Sequence, residues 1–264
     1  MKDKDIALAY LNRNRILNIG MLQVLRRGTA EILCAYENGV YLRDTVSDAY
    51  MLSTDDAAAG IEWMAAFESR SYSLMQICNK EAVEHAKRKY GFETELICVQ
   101  AIYEGQGASQ ISDLTAEGKE TAGVKEKEDG KDGSGISNPE NPGKLVICEP
   151  DDATMELIQH HYDKISEEEL WQIRRLHNLY AGYLDGVCVG FIGSHLEGSM
   201  GLLEVLPAYR RRGYAVELEQ FMIAHMHRQG LFAFAQIETW NEKSLNLQKK
   251  LGMQISEEKV YWLF

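Results

Sequence analysis

Apolar and polar positions along the chain change period several times, and each change predicts a different structural element. Between residues 3 and 26 the apolar side chains recur every three or four positions, which predicts one or two amphipathic helices. Runs typical of strands follow at 30–36, 40–44, 49–52, 72–78 and 95–103, with helical periodicity at 53–67 and 80–90. Asn38-Gly39 predicts a hairpin between the first two strands, and Ser53 or Thr54 is the expected cap of the first of these helices.

The pattern changes at residue 105 and starts again at residue 144. Residues 105–143 are dominated by Gly, Ser, Asp, Glu and Lys, and a segment with so few large apolar side chains cannot offset its ordering entropy, which predicts a disordered linker. Beyond it, strands are expected at 145–148, 182–184, 187–192, 200–205, 232–238 and 259–264, and helices at 152–162, 167–177, 212–229 and 244–251. Asp185-Gly186 predicts a second hairpin. We therefore divide the chain into an N-terminal domain (1–104), a linker (105–143) and a C-terminal domain (144–264).

The two halves contain matching short motifs in the same order. Residues 35–40 are similar to 182–187, Gln76-Ile77 to Gln236-Ile237, and residues 89–92 to 250–253. This order predicts a diverged tandem repeat of one fold.

A basic turn opens one predicted helix of the second half. Arg210-Arg211-Arg212-Gly213-Tyr214-Ala215 follows a short strand and a proline, at the place where helical periodicity begins. Free backbone N–H groups, the positive end of the helix dipole and three guanidinium groups converge there, which predicts an anion site. Gly213 and Ala215 keep side chains away from the backbone, so that an anion as large as a pyrophosphate could approach it.

These residues carry a family resemblance. Residues 205–215, VLPAYRRRGYA, resemble the V-x-P-x-x-[RQ]-x-x-G-x-[GA] signature of the GNAT superfamily of N-acyltransferases. A second block, Asn241 to Ser244 followed by residues 250–253, is similar to the later motif of that superfamily. The resemblance implies an α/β fold in which each half has a mixed, largely antiparallel sheet flanked by helices. It also implies acetyl-CoA as co-substrate, no metal, and direct transfer of the acetyl group to a primary amine.

The resemblance also assigns roles residue by residue. It places the pyrophosphate on Arg210, Arg211, Arg212, Gly213, Tyr214 and Ala215, and the pantetheine arm on Asn241 and on the backbone of Leu203, Glu204 and Val205. The Val205 N–H is then the expected oxyanion donor. The expected base, which must leave the amine neutral, is Glu204, His195 or Glu197, although Glu204 could instead pair with an arginine and the other two could be ordinary loop residues. Gln248 stands where many members have an acidic tyrosine, which leaves Tyr214 or Tyr261 as substitutes.

The corresponding helix start in the first half has different chemistry. Asp55 and Asp56 precede Ala57, with no glycine at the turn. Because carboxylates repel a pyrophosphate, we expect the first half to be a degenerate domain that has lost cofactor binding and serves as a partner surface or a substrate wall.

Composition and charge narrow the range of expected partners, substrates and cellular locations. The 264 residues are 45% apolar and carry a net charge of −12, which disfavours nucleic acid or an anionic membrane as partner and favours a cationic substrate, a small amine or a peptide amine. No apolar run is long enough to span a membrane and the first residues are charged, so we expect a cytoplasmic protein. The five cysteines form no CxxC pair and are expected to be buried, reduced thiols.

Two alternative functions stay open, a non-catalytic acyl-CoA-binding regulator and a transferase of another acyl group. The oligomeric state is also open.

Overall fold

The computed structural model describes residues 2–105 and 144–264, so all of the predicted linker except Gly105 lies outside the described residues. The helices are α1 (Asp3–Leu11), α2 (Ile19–Arg27), α3 (Ala57–Ala66), α4 (Lys80–Tyr90), α5 (Asp152–His161), α6 (Glu167–Arg175), α7 (Tyr214–Arg228) and α8 (Glu242–Lys250). The strands of the first half are β1 (Ala30–Tyr36), β2 (Gly39–Asp44), β3 (Tyr50–Thr54), β4 (Met75–Ile77) and β5 (Glu95–Ile102). Those of the second half are β6 (Val146–Cys148), β7 (Leu179–Leu184), β8 (Val187–Ser194), β9 (Met200–Val205), β10 (Phe234–Glu238), β11 (Gln254–Ile255) and β12 (Val260–Leu263). Within these described ranges, no helix is both long and apolar enough to cross a bilayer.

All twelve described strands join one sheet with helices on both faces. The strand order is β1-β2-β3-β4-β12-β5-β10-β9-β8-β7-β6, and β11 pairs with β5. The apolar sides of α1, α2, α5 and α6 cover one face, and those of α3, α4, α7 and α8 cover the other. This confirms the predicted fold class, a mixed sheet flanked by helices in two similar halves.

The last strand of each half lies inside the other half. Strand β12 pairs with β4, where Tyr261 faces Ile77, and β5 pairs with β10, where Val99 faces Ile237. The two exchanged strands pair with each other at the centre of the sheet. The halves therefore complete each other, which the hydrophobic pattern did not reveal because periodicity identifies strands but not their neighbours.

Polar side chains also join the halves at the centre. Gln76 and Gln236, which occupy matching positions in the repeat, are hydrogen-bonded side chain to side chain at 3.0 Å. The Trp262 indole donates to Gln236 Oε1 at 2.6 Å. Because buried amides need partners, this contact fixes the relative position of β4, β10 and β12.

Turns and caps agree with the sequence in the second half and differ from it in the first. Asp185 and Gly186 have positive φ angles of 49° and 80°, as the tight hairpin predicts. The prediction that Ser53 or Thr54 caps α3 is wrong, because β3 continues through Thr54 and the Asp56 carboxylate accepts from the N–H groups of Ala58 and Ala59. The first hairpin turns at residues 37–38, and Gly39 lies within β2.

Candidate functional site

Two parallel neighbours, β9 and β10, separate almost as soon as they meet. They pair only where Ala235 faces Met200. Beyond that point β9 contains a bulge opposite β8, and Leu202 has a φ angle of 50°. Since bulges bend the strand that carries them, this irregularity accounts for the divergence. We call the resulting opening, between residues 201–205 and 236–240, the β9–β10 cleft.

The backbone of Val205 faces this cleft. The Leu206 N–H donates to the Val189 carbonyl at 2.9 Å, and Val205 faces Gly190 in the same antiparallel pair. Because antiparallel ladders alternate, the N–H and carbonyl of Val205 point away from β8 and towards β10. The Val205 carbonyl accepts from Arg210 Nε at 2.8 Å, so its N–H is the group directed at the cleft.

The basic turn presents bare backbone at the start of α7. In the described part of the chain, the N–H groups of residues 211–215 have no acceptor, and Gly213 caps α7 without a side-chain hydrogen bond. Arg211 and Gly213 have φ angles of 63° and 91°, and alternation of this kind curves successive N–H groups into an anion-binding concavity. A Cβ on Gly213 would meet nothing within 4 Å. Backbone conformation, rather than lack of space, therefore selects glycine here.

Arg210 points away from this concavity. Its guanidinium pairs with Glu204 at 3.1 Å, in addition to its bond to the Val205 carbonyl. Arg212 lies over the ring of Tyr209, 5.8 Å from its centroid. The role of Arg210 in anion binding was inferred from its position in the motif alone.

The three candidate bases occupy different places. Glu204 lies at the carboxyl end of β9, directly before Val205. His195 and Glu197 lie in the turn at the amino end, where the His195 ring covers Gly201 and the buried Glu197 carboxylate accepts a hydrogen bond from the Ser199 hydroxyl. Glu204 is therefore the candidate adjacent to the Val205 N–H.

Asn241 and Gln248, in the region of the later motif, form hydrogen bonds with other residues of the protein. The Asn241 side-chain oxygen caps α8 by accepting from the Ser244 N–H at 3.1 Å. Gln248 is buried between α7 and α8 and donates to Glu219 at 2.8 Å. Burial raises the pKa of Glu219 to about 7, although the Gln248 hydrogen bond opposes this shift.

Neither tyrosine proposed as a substitute acid faces the cleft. Tyr214 is 2% exposed and packs in the core beneath α7. Tyr261 lies on β12 and packs against α3 and α4 in the first half. Since an acid must reach the departing thiolate, the structure argues against both substitutions.

A protein family and several solved structures are similar to this chain. Residues 179–263, from β7 to β12, match the family described as FR47-like protein. A Drosophila protein of solved structure aligns with a TM-score of 0.62 at 14% identity, over 100% of this chain and 95% of its own. A GCN5-related N-acetyltransferase-like protein from Streptococcus suis aligns with a TM-score of 0.51 at 12% identity, over 98% of this chain and 100% of its own. A GCN5-related N-acetyltransferase from Kribbella flavida aligns at 0.50 and 10% identity, over 94% and 93%. The chain therefore shares the fold of these GCN5-related N-acetyltransferases, which we call the GNAT fold. No curated protein matches the sequence.

The two GNAT-like halves differ at the strand divergence and at the helix start described above. In the first half β3 and β4 stay paired from Tyr50–Met75 to Leu52–Ile77, and the Cys78 N–H extends the pairing to Leu52. There is no cleft between them. Asp56 also occupies the helix-start N–H groups that α7 leaves bare. The first half therefore has neither feature of the candidate site.

Metal-binding groups and cysteine thiols are the other side chains that could carry chemistry in this protein. No group of His, Cys, Asp and Glu within the described residues is arranged to hold a metal ion. All five thiols are free, but only Cys98 and Cys188 are buried and Cys148 is exposed, so the expectation of buried thiols is wrong for Cys148. Its strand, β6, is an edge strand, which leaves its side chains partly uncovered.

Sequence reasoning missed Glu219 and the bulge at Leu202. The available signal for Glu219 was a carboxylate directly after Leu218, on a helix whose neighbouring turns are apolar. A bulge depends on the register of two strands, which hydropathy does not encode.

Proposed function

We propose that the protein is an acetyl-CoA-dependent N-acetyltransferase that transfers the acetyl group directly to a primary amine at a site in residues 144–264. The observation that carries the proposal is the run of bare N–H groups at residues 211–215 beside the cleft between two diverging parallel strands. The first feature suits a pyrophosphate and the second suits an extended pantetheine arm.

The residues present fit CoA. The open space at Gly213 leaves room for the phosphates, and Arg211 and Arg212 supply charge beside them. Leu203 and Val205 would pair with the pantetheine through their backbones. Asn241 can contribute only its amide N–H group, because its oxygen already caps α8. Bound acetyl-CoA would supply the activated acyl group as a thioester.

The chain's own groups then have distinct tasks. The Val205 N–H would hold the carbonyl oxygen of the acyl group, and Glu204 would take the proton from the attacking amine. Arg210 orients Glu204 and anchors the end of β9 through the Val205 carbonyl, so we assign it a positioning role. His195 and Glu197 remain second candidates for the base.

A non-catalytic acyl-CoA-binding regulator is the alternative. Gln248, which stands where relatives of this kind have an acid, is buried against Glu219 and does not face the cleft as a proton donor. A thiol leaves as a weak base, with a pKa of about 8.5, so the lack of an acid costs only about 2 kcal/mol at pH 7 and does not prevent transfer. Transfer of another acyl group is the third possibility, since the residues at the site do not indicate which acyl group is accepted.

A turnover assay tests the proposal. Full-length protein would be incubated with acetyl-, propionyl- or succinyl-CoA and a panel of amines, polyamines and peptides, with free thiol and acylated product measured by colorimetry and mass spectrometry. We expect acetylation of at least one amine with stoichiometric release of CoA. Tight CoA binding without turnover on any amine would favour the regulator instead.

A further inference from the structure

Trp240 is a large exposed aromatic side chain at the edge of the candidate site. It follows the end of β10 and is 68% exposed. Its indole N–H donates to Glu238 Oε2 at 2.7 Å, which fixes the ring beside that carboxylate. The backbone beneath is also fixed, because Thr239 donates to Ile97 and Asn241 to Glu238. The ring is therefore held in place while its faces stay open.

A second exposed ring, that of Tyr36, has a partner. Exposed Tyr36 stacks on Trp63 with centroids 5.4 Å apart. Across the described residues, Trp240 stacks on no ring and lies under no guanidinium. Because a tryptophan side chain can bury 150–250 Å² of apolar surface, an immobilised and uncovered one is suited to receive a ligand.

The register places this pair across the cleft from the candidate oxyanion donor. Met200 faces Ala235 at the one point where β9 and β10 pair. Counting forward along both parallel strands and allowing for the one extra residue of the β9 bulge, Glu204 is level with Glu238, and Val205 is level with Thr239, next to Trp240. Trp240 therefore lies at the end of β10 that is nearest in register to Val205.

This side of the sheet carries two carboxylates, and only one of them has an ion-pair partner among the described residues. Glu204 and Glu238 both project to the face opposite α7, since their cross-strand partners Phe191 and Cys98 pack away from the α7 core. Arg210 neutralises Glu204. Glu238 forms no ion pair with any described residue. Anion-binding groups thus lie on one face of the sheet, and an unpaired carboxylate lies on the other.

We propose that Glu238 and Trp240 form a binding subsite for the ammonium group of the amine acceptor. The ammonium would lie over the indole face and against the carboxylate, combining a cation–π contact with an ion pair. This subsite binds the acceptor in its protonated form, and removal of the proton is left to the base discussed above. The inference deepens the proposed function and rests on it for the identity of the ligand as the acceptor.

Spermidine is a suitable probe because it presents several ammonium groups and no aromatic ring. Calorimetric titration into the CoA-loaded full chain would compare wild type with Trp240→Ala, Trp240→Phe and Glu238→Gln. Because a cation–π contact contributes about 1 kcal/mol, we expect Trp240→Ala to weaken binding roughly five- to tenfold, and Trp240→Phe to bind almost as wild type. Glu238→Gln keeps an acceptor for the indole N–H but removes the charge, so we expect a similar loss.

Matched controls separate this subsite from general attraction to an acidic protein. Glu242→Gln removes one exposed charge two residues beyond Trp240, and Tyr36→Ala removes an exposed ring in the first half. Both should bind spermidine as wild type does. Equal binding by wild type, Trp240→Ala and Glu238→Gln would overturn the proposal, and so would an absence of spermidine binding to wild type.

Kinetics provide a second readout once an acceptor is known. We expect Trp240→Ala to raise KM for the amine by roughly five- to tenfold and leave KM for acetyl-CoA unchanged. The proposed function fails if wild type binds no CoA or acylates no amine, whereas the spermidine titration alone decides whether the subsite exists. The two failures are therefore distinguishable.

Discussion

At the scale of single residues, the contact of Glu204 with Arg210 bears on its role. Its ion pair with Arg210 keeps the carboxylate at the mouth of the cleft, beside Val205. This contact was one of the two interpretations that the sequence allowed, and it is compatible with catalysis because a base must be oriented. Only a measurement that separates binding from chemistry distinguishes a base from a simple ion-pair partner.

Glu204→Gln provides that measurement. We expect kcat to fall about 100-fold or more while CoA affinity stays within about twofold, because the amide cannot accept the amine's proton. The acidic limb of the pH profile of kcat should also disappear. Unchanged turnover in a folded variant would show that Glu204 serves only to pair with Arg210.

Glu219 presents a different problem, a carboxylate buried with a single described partner. One of its oxygens and the Gln248 carbonyl oxygen have no hydrogen-bond partner among the described residues. A proton on Glu219 could serve both, which is consistent with a pKa raised to about 7. The protonated form of the Glu219 carboxyl group should therefore be stable in the folded protein, and its ionisation should lower the free energy of unfolding.

The pH dependence of stability tests Glu219. Its folded pKa is raised from 4.5 to about 7, so its contribution is fully present below pH 4.5 and is lost as pH rises through 7. Glu219→Gln should abolish this loss, gaining on the order of 3 kcal/mol relative to wild type at pH 8. Chemical unfolding at pH 5 and pH 8 would measure it, with exposed Glu156→Gln as control. A constant difference between wild type and Glu219→Gln at both pH values would contradict this account.

At the scale of elements, the two matching helix starts show what sequence can and cannot predict. The signature at residues 205–215 predicted an anion-binding turn, because glycine and arginine at a helix start have direct physical meaning, and the backbone N–H groups of that turn are bare in the structure. Asp55 and Asp56 likewise indicated a different first half. Strand divergence was not predictable from residue types, since β3–β4 and β9–β10 are both short apolar parallel pairs. Their difference lies in one bulge, and hence in the register.

Asp56→Ala tests whether the helix start alone makes a site. It frees the N–H groups of Ala58 and Ala59 and should cost about 1 kcal/mol of unfolding free energy through the lost cap. It should create no CoA site in the first half, because β3 and β4 remain paired. If calorimetry showed that this variant binds a second CoA molecule, the pairing of β3 with β4 would not be what prevents CoA binding in the first half.

At the scale of the whole molecule, strand exchange makes the halves interdependent. The sequence predicted the repeat, but the exchange arises from contacts between residues distant in the chain, such as Tyr261 with Ile77 and Ile237 with Val99. Neither half can lose its structure without removing a neighbour from the central strands of the other.

Coincident unfolding should follow from this exchange. Trp63 lies in α3 of the first half and Trp171 in α6 of the second. The chain has four tryptophans, so we compare two variants that each retain only one of them, Trp63 or Trp171, and whose fluorescence therefore reports one half at a time. We expect both variants to show one denaturant transition with the same midpoint, after correction for each variant's own stability by circular dichroism. Two separate transitions would indicate independent domains.

The central claim is that one CoA site exists, at the start of α7. Gly213→Glu and Gly230→Glu form a matched pair at the two ends of this helix, since both glycines have positive φ and open space for a Cβ. Only the first places a negative charge where the phosphates would bind. At an effective dielectric constant near 20, charges 4 Å apart interact by about 4 kcal/mol, so a 100-fold loss of affinity is expected.

Calorimetric titration of CoA into the full chain tests this claim most directly. The account predicts one CoA bound per chain by wild type and by Gly230→Glu, and binding weakened about 100-fold or more in folded Gly213→Glu. Two sites per chain, or normal CoA affinity in Gly213→Glu, would contradict it.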